Sequence, residues 1–208
     1  MEEHYGSGIG QLERTHDPFK TLVGCVLSHR TRDENSTQAM ENLFQAAERP
    51  EDMLRISVEE LRERIRCSGF YKQKARNIRA ICQTLIADYE GQVPRDRSSL
   101  MDLPGVGPKT ADVVLSYAFD QPAIAVDTHV ETVAKRLGLV GMKESPDVVK
   151  AVLESLVPPE KYRLVDNAFV MHGREFCRKR HPRCDECFMR SHCCFDHKIA
   201  FLNKDVKP

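Results

Sequence analysis

Cys177, Cys184, Cys187 and Cys193 stand in the spacing C-x6-C-x2-C-x5-C near the end of a 208-residue chain. Four thiolates in so short a stretch can enclose a soft metal centre: zinc, copper(I) or an iron–sulfur cluster. Structural zinc sites place their ligands in close pairs. Here only Cys184 and Cys187 form such a pair, which tilts the spacing toward a cubane [4Fe–4S] cluster. Zinc remains the alternative. Cys194 adjoins the set and competes with Cys193 for the fourth place.

A second chemical locus is Leu103-Pro104-Gly105-Val106-Gly107-Pro108-Lys109-Thr110. Gly105 and Gly107 permit a tight turn and close backbone approach. Pro108 suits the first turn of a helix. The free amides of such a turn, beside the positive end of a helix dipole, make a phosphate site. An ordinary corner between helices is the competing reading. Lys109, expected to be partly buried in that first helical turn, meets the unfavourable end of the dipole. An amine so placed is a candidate nucleophile for Schiff-base chemistry; otherwise it is a solvated or phosphate-binding lysine.

The third locus is Val126-Asp127-Thr128-His129. Asp127 precedes a helical pattern, and Thr128 and Glu131 have capping-box spacing. Asp127 is therefore either a helix-start residue or a carboxylate poised to stabilise a cation or accept a proton. His129 is left without a role.

The elements that must hold these residues read as helices. Apolar faces recur at helical spacing in Phe19, Leu22, Val23, Val26 and Leu27; in Thr37, Met40, Leu43 and Phe44; and in Ile78, Ile81, Cys82, Leu85 and Ile86. Val58, Leu61 and Ile65 form another face, followed by Ala111, Val114, Leu115 and Ala118, and by Val130, Val133, Ala134 and Leu137. The last are Val148, Ala151, Val152 and Leu156, and then Leu164, Ala168, Phe169 and His172. Gly, Pro, Asp and Ser punctuate the intervals. The run 123–126 is too short to assign. The expectation is an all-α protein of about ten helices, with the Gln121-Pro122 break dividing two lobes. Basic and acidic residues balance at 31 each, so any polyanion signal is local. The start, MEEHYGSGIG, lacks the features of a signal peptide, and no apolar run reaches membrane-spanning length. These features predict a soluble intracellular protein with reduced core thiols at Cys25, Cys67 and Cys82; a monomer is the expected state.

Together LPGVGPKTA (103–111), VDTH (126–129) and the cysteine loop (177–193) resemble the endonuclease III family of DNA glycosylase/AP lyases, in the helix-hairpin-helix glycosylase superfamily. LSHRTRD (27–33) and GFYKQKARNI (69–78) fit its remaining landmarks. The resemblance spans roughly residues 17–195, and the chain starts late relative to typical members. It implies a [4Fe–4S] cluster on Cys177, Cys184, Cys187 and Cys193, with Cys193 chosen over Cys194. It implies a six-helix hairpin lobe at 16–121 and a cluster lobe made of 1–15 with 122–208, facing each other across a cleft. Lys109 is then the nucleophile and Asp127 its catalytic carboxylate, acting on oxidised pyrimidines of the thymine glycol type in duplex DNA. The strand is nicked 3′ to the abasic site by β-elimination. For location, a prokaryotic cytoplasm is expected ahead of a nucleus, although the sequence does not distinguish the two.

The chain departs from the family pattern at two DNA-facing positions. The plug that fills the hole left by a flipped base, usually Gln, is Arg30, which suits guanine opposite the lesion; a phosphate contact is the alternative. The wedge, usually Leu, is Phe70, an apolar residue able to support a kink; a core Phe is the alternative. Arg178, Lys179, Arg180 and Arg183, with Arg174, concentrate charge at the cysteine loop, and Lys72, Lys74, Arg76 and Arg79 add a second basic stretch. Both suit phosphate, or else are solvated faces. With Gly105 and Gly107 they complete the expected DNA contacts. Competing readings are a monofunctional mismatch or other-lesion glycosylase on the same scaffold, a non-catalytic DNA-binding module and a zinc-stabilised interaction protein.

Overall fold

A computed structural model describes residues 1, 3–5 and 16–195. The expected lobes also include residues 2, 6–15 and 196–208, which lie outside the described residues. Among those described there is no strand, and ten α-helices of six residues or more follow one another. Contacts divide the chain into two compact units: Glu13–Gln121, and Met1–Leu12 with Pro122–Pro208.

The first unit holds α1 (Pro18–Ser28), α2 (Asp33–Phe44), α3 (Pro50–Arg55), α4 (Val58–Arg64), α5 (Tyr71–Tyr89), α6 (Arg97–Asp102) and α7 (Pro108–Ala118). Local chemistry sets the helix starts. Proline opens α1, α3 and α7, where its missing N–H costs nothing. Asp17, Ser57 and Asp96 accept from the backbone N–H of Lys20, Glu60 and Ser99, respectively. The long α5 packs on α1, α3 and α4, while α1 packs on α2 and α7. The shared core contains Leu22, Leu27, Leu43, Met53, Leu61, Ile78, Ile81 and Leu85, all fully buried. Each such side chain contributes roughly 1.5–3 kcal/mol of burial.

The second unit holds α8 (Thr128–Arg136), α9 (Pro146–Leu156) and α10 (Tyr162–Glu175), followed by two short 3-10 turns at Cys184–Glu186 and Arg190–His192. Ile124, Val130, Val133, Ala134, Val149, Leu153 and Phe169 make its core. Gly173 allows α10 to lie close on α8: a Cβ there would come within 2.7 Å of the His129 Cβ.

Two apolar faces differ from their expected register. In α9 the buried residues are Val149 and Leu153, while Val148, Ala151 and Leu156 are exposed. In α2 the face is Ser36, Ala39 and Leu43, with Thr37 outside. Ile86, expected inside, is also exposed.

Candidate active site and cysteine centre

The LPGVG turn joins α6 to α7. Gly105 has φ +78, and a Cβ there would fall 2.3 Å from Asn77 Nδ2, so both conformation and space favour glycine. Val106 N–H donates to Leu103 O at 3.1 Å and closes the turn. Gly107 is the N-cap of α7. Buried Asp112 on α7 receives a two-pronged guanidinium from Arg97 on α6, at 3.1 and 3.3 Å, which fixes the two helices of the hairpin together.

Lys109 lies in the first turn of α7 and is exposed, where partial burial was expected. Its charge acts on two neighbours. Removal from water pushes the Cys25 thiol up to about 11, against the pull of Lys109. His29 is lowered by desolvation first, then by Lys74 and Lys109. The His29 ring also lies 3.1 Å from the hydroxyl of Thr110, the residue after Lys109.

Asp127, in the other unit, is half-buried and is itself the N-cap of α8. Its Oδ1 accepts from His129 N–H at 2.7 Å and Val130 N–H at 2.9 Å. Thr128 therefore does not open a capping box; its hydroxyl is displaced from that role by the carboxylate one residue earlier. These two amides fix the carboxylate of Asp127 in place at the start of α8.

Arg30 and Phe70 come together within the first unit, the guanidinium 6.0 Å from the ring centre. Phe70 is 65% exposed, which removes the core reading. Both adopt left-handed backbone conformations, φ 49 and φ 57. Lys74 does not join an exposed basic stretch. It is buried, and its ammonium donates to Leu27 O at 2.7 Å, Thr31 Oγ1 at 2.7 Å and Ser68 Oγ at 2.8 Å. Burial lowers its pKa to about 8. Arg79 donates inward to Ile56 O, leaving Lys72 and Arg76 as the exposed cations of that group. Lys74 falls in line with Ile78, Ile81, Cys82 and Leu85 on the apolar face of α5, and that placement was the available sign of its burial.

Cys177, Cys184, Cys187 and Cys193 line one cavity of about 350 Å³ together with Arg136, His172 and Cys194. Among the described residues, no three His, Cys, Asp or Glu side chains gather closely enough for a single ion. Arg136 anchors the loop from α8 by donating to the carbonyls of Cys177, Arg178 and Lys179 and approaching Cys177 Sγ at 3.5 Å. Buried His172 places Nε2 3.5 Å from Cys187 Sγ. Desolvation first, and then the charge of the neighbouring thiolates, pushes the Cys184 and Cys187 thiols up. Neither Arg136 nor His172 was singled out for this role from sequence, because the contacts that assign it are long-range. Arg178, Lys179, Arg180 and Arg183 are exposed, and Arg183 is paired with Glu186.

The chain matches the HhH-GPD superfamily, described as base excision DNA repair proteins, over residues 23–159. It is 41% identical to endonuclease III of Thermotoga maritima over 198 residues, covering 94% of this chain and 92% of that one. With endonuclease III of Bacillus subtilis the identity is 45% over 184 residues, covering 88% and 84%. A solved endonuclease III, in a trapped covalent intermediate with DNA described as an estranged-adenine complex, matches with TM-score 0.81 and 42% identity over 86% of this chain and 84% of that one. Similarity at this level over almost the whole length leaves one assignment: the chain belongs to the endonuclease III family of the HhH-GPD superfamily of base excision DNA repair proteins.

Proposed function

We propose that this DNA glycosylase and AP lyase removes oxidised pyrimidines of the thymine glycol type from duplex DNA, with Lys109 as nucleophile and Asp127 as its carboxylate. The observation that carries the reading is the exposed Lys109 at the mouth of the Gly105–Gly107 turn, on a helix start suited to a phosphate. A related enzyme trapped covalently on DNA supports a covalent route.

A damaged base leaves the stack more cheaply than a sound one. Lys109 Nζ bonds to C1′ as the glycosidic bond breaks, and the ionised Asp127 offsets positive charge on the sugar. Opening of the sugar ring gives a Schiff base. That cation acidifies the C2′ proton, whose loss expels the 3′ phosphate and nicks the strand. Arg30 and Phe70 enter the duplex at the lesion. Gly105, Gly107, Arg178, Lys179 and Arg180 contact its backbone, with Arg183 weakened by its pairing to Glu186. Of the described residues, no helix is long and apolar enough to cross a membrane.

We also infer that Cys177, Cys184, Cys187 and Cys193 hold a [4Fe–4S] cluster. These four thiols and Cys194 line one cavity of about 350 Å³, a space that suits a multi-atom centre better than one zinc ion. When bound, the cluster would cross-link the basic loop; excision by Lys109 and Asp127 needs no electron transfer.

Borohydride trapping on a labelled thymine glycol duplex tests the mechanism, with wild type beside Lys109→Gln. A covalent adduct and a nick from wild type alone support it. Base release without an adduct would make the enzyme monofunctional.

A further inference from the structure

Arg30 and Phe70 belong to separate segments, the α1–α2 turn and the residue before α5. Both hold left-handed backbone conformations. Non-glycine residues persist there only where the surroundings over-determine them. The surroundings converge on one group. Lys74 sends its ammonium to Leu27 O at the end of α1, to Thr31 Oγ1 next to Arg30, and to Ser68 Oγ two residues before Phe70. Thr31 Oγ1 in turn accepts from Gly69 N–H at 3.0 Å, and Ser68 Oγ donates to Leu27 O at 3.0 Å. The two segments are pressed so close that a Cβ on Gly69 would come within 3.1 Å of Arg30 O.

All three acceptors of Lys74 are uncharged, and the residue is only 4% exposed. A buried ammonium with no carboxylate partner among the described residues is a costly way to fill a core position that a methionine would fill more cheaply. Three donors on one flexible stem are what that cost provides. No apolar side chain could tie a carbonyl and two hydroxyls from separate segments at one point.

We propose that Lys74 is the positioning residue for DNA insertion: its ammonium knots the α1–α2 turn to the start of α5 and thereby holds Arg30 and Phe70 out side by side. The proposal rests on the reading that these two side chains enter the duplex. It assigns Lys74 no contact with DNA.

The experiment compares wild type, Lys74→Met, Thr31→Val, Phe70→Ala and the Lys74→Met/Phe70→Ala double variant. Single-turnover excision is measured on a thymine glycol duplex, and strand cleavage on a duplex with a preformed abasic site. 2-Aminopurine opposite an abasic-site analogue reports filling of the hole. Thermal unfolding accompanies each variant, and Thr31→Val, which keeps the side-chain shape, stands in if Lys74→Met does not fold. The expected loss of excision is on the order of tenfold to a hundredfold, the cost of misplacing a positioned group by about an ångström. The loss in abasic cleavage is smaller by at least about tenfold, and the 2-aminopurine response shrinks. In the Phe70→Ala background Lys74→Met adds less than about threefold, because residues acting as a unit are non-additive.

Independent, multiplicative losses overturn the proposal, as does equal loss in both reactions or wild-type excision by both Lys74→Met and Thr31→Val. If Phe70→Ala itself excises at the wild-type rate with an unchanged 2-aminopurine response, the insertion reading falls and takes the proposal with it. That signature differs from one in which Phe70→Ala is impaired and Lys74→Met is not.

Discussion

Asp127→Asn separates the observed helix cap from the catalytic charge proposed for the same carboxylate. Oδ1 receives two backbone N–H groups, from His129 and Val130, and an asparagine oxygen can receive them equally. As N-caps, Asn and Asp are about equivalent, whereas alanine costs about 1 kcal/mol. What Asn removes is charge, worth roughly 0.3–1 kcal/mol at a helix start. For a protein of this size that is a fall in Tm of roughly 1–4 °C. If the proposed role holds, loss of that charge costs far more in rate, on the order of a hundredfold to a thousandfold. Single-turnover excision on a thymine glycol duplex, with calorimetry on the same preparations, measures both. The expected pattern is Asn nearly as stable as wild type but inactive, with Ala inactive and less stable by a further 1 kcal/mol or so. Excision by Asp127→Asn within about threefold of wild type would refute the catalytic assignment and leave Asp127 a cap alone.

Arg30→Gln should narrow a preference for lesions opposite guanine. A bidentate contact discriminates by roughly 1–3 kcal/mol, so the G-to-A rate ratio should fall by at least about fivefold, and equal ratios in both proteins would count against a guanine contact. Gly105→Ala, at φ +78 with Asn77 in the way, should destabilise the turn by about 1 kcal/mol or more and weaken binding to an uncleavable abasic-site duplex. Arg136→Met strips the hydrogen bonds from the carbonyls of residues 177–179; the purified protein should lose visible absorbance per chain faster than wild type in the presence of chelator. Lys74 should leave a mark on stability against pH. Its folded value, about 8, lies below the 10.5 of a free lysine, so between those values the unfolded chain binds more protons. The stability of wild type relative to Lys74→Met therefore rises with pH through that window and is lost as pH falls through 8; chemical denaturation at stepped pH reads the difference, and a flat difference would contradict it.

Helical class and the buried face of α1 follow directly from apolar spacing, since Phe19, Leu22, Val23, Val26 and Leu27 are the residues buried there. The register of α9 does not. Val148, Val149, Val152, Leu153 and Leu156 offer two neighbouring apolar stripes, and periodicity cannot choose between them; packing against α8 and Phe169 selects Val149 and Leu153. Glycine at position 105 was readable because a tight turn needs it. Lys74 stands among cations that suggest a phosphate-binding stretch, yet its line with Ile78, Ile81, Cys82 and Leu85 on α5 marks it as buried; only its tertiary acceptors are invisible in the sequence. Asp127 and Thr128 are both good caps, and sequence alone does not rank them; the structure gives the place to Asp127. Arg136 reaches Cys177 across 41 positions of chain, a distance at which local patterns carry no information.

The second unit is discontinuous, and this orders events at the ribosome. Tyr5 is buried against the end of α10, its hydroxyl donating to Glu175 and lying 3.4 Å from His172 Nδ1, 167 residues onward. At about 5–20 residues per second, its partners emerge roughly ten to thirty seconds after it does. By the end of that interval every helix from α1 to α7 has left the tunnel and can fold, while Tyr5 still waits for its partners. The cysteine loop appears after all ten α-helices. Any metal centre is therefore loaded after the helices of both units have been made, and a nascent chain stalled before residue 177 carries a complete hairpin helix and its lysine but none of the four thiols.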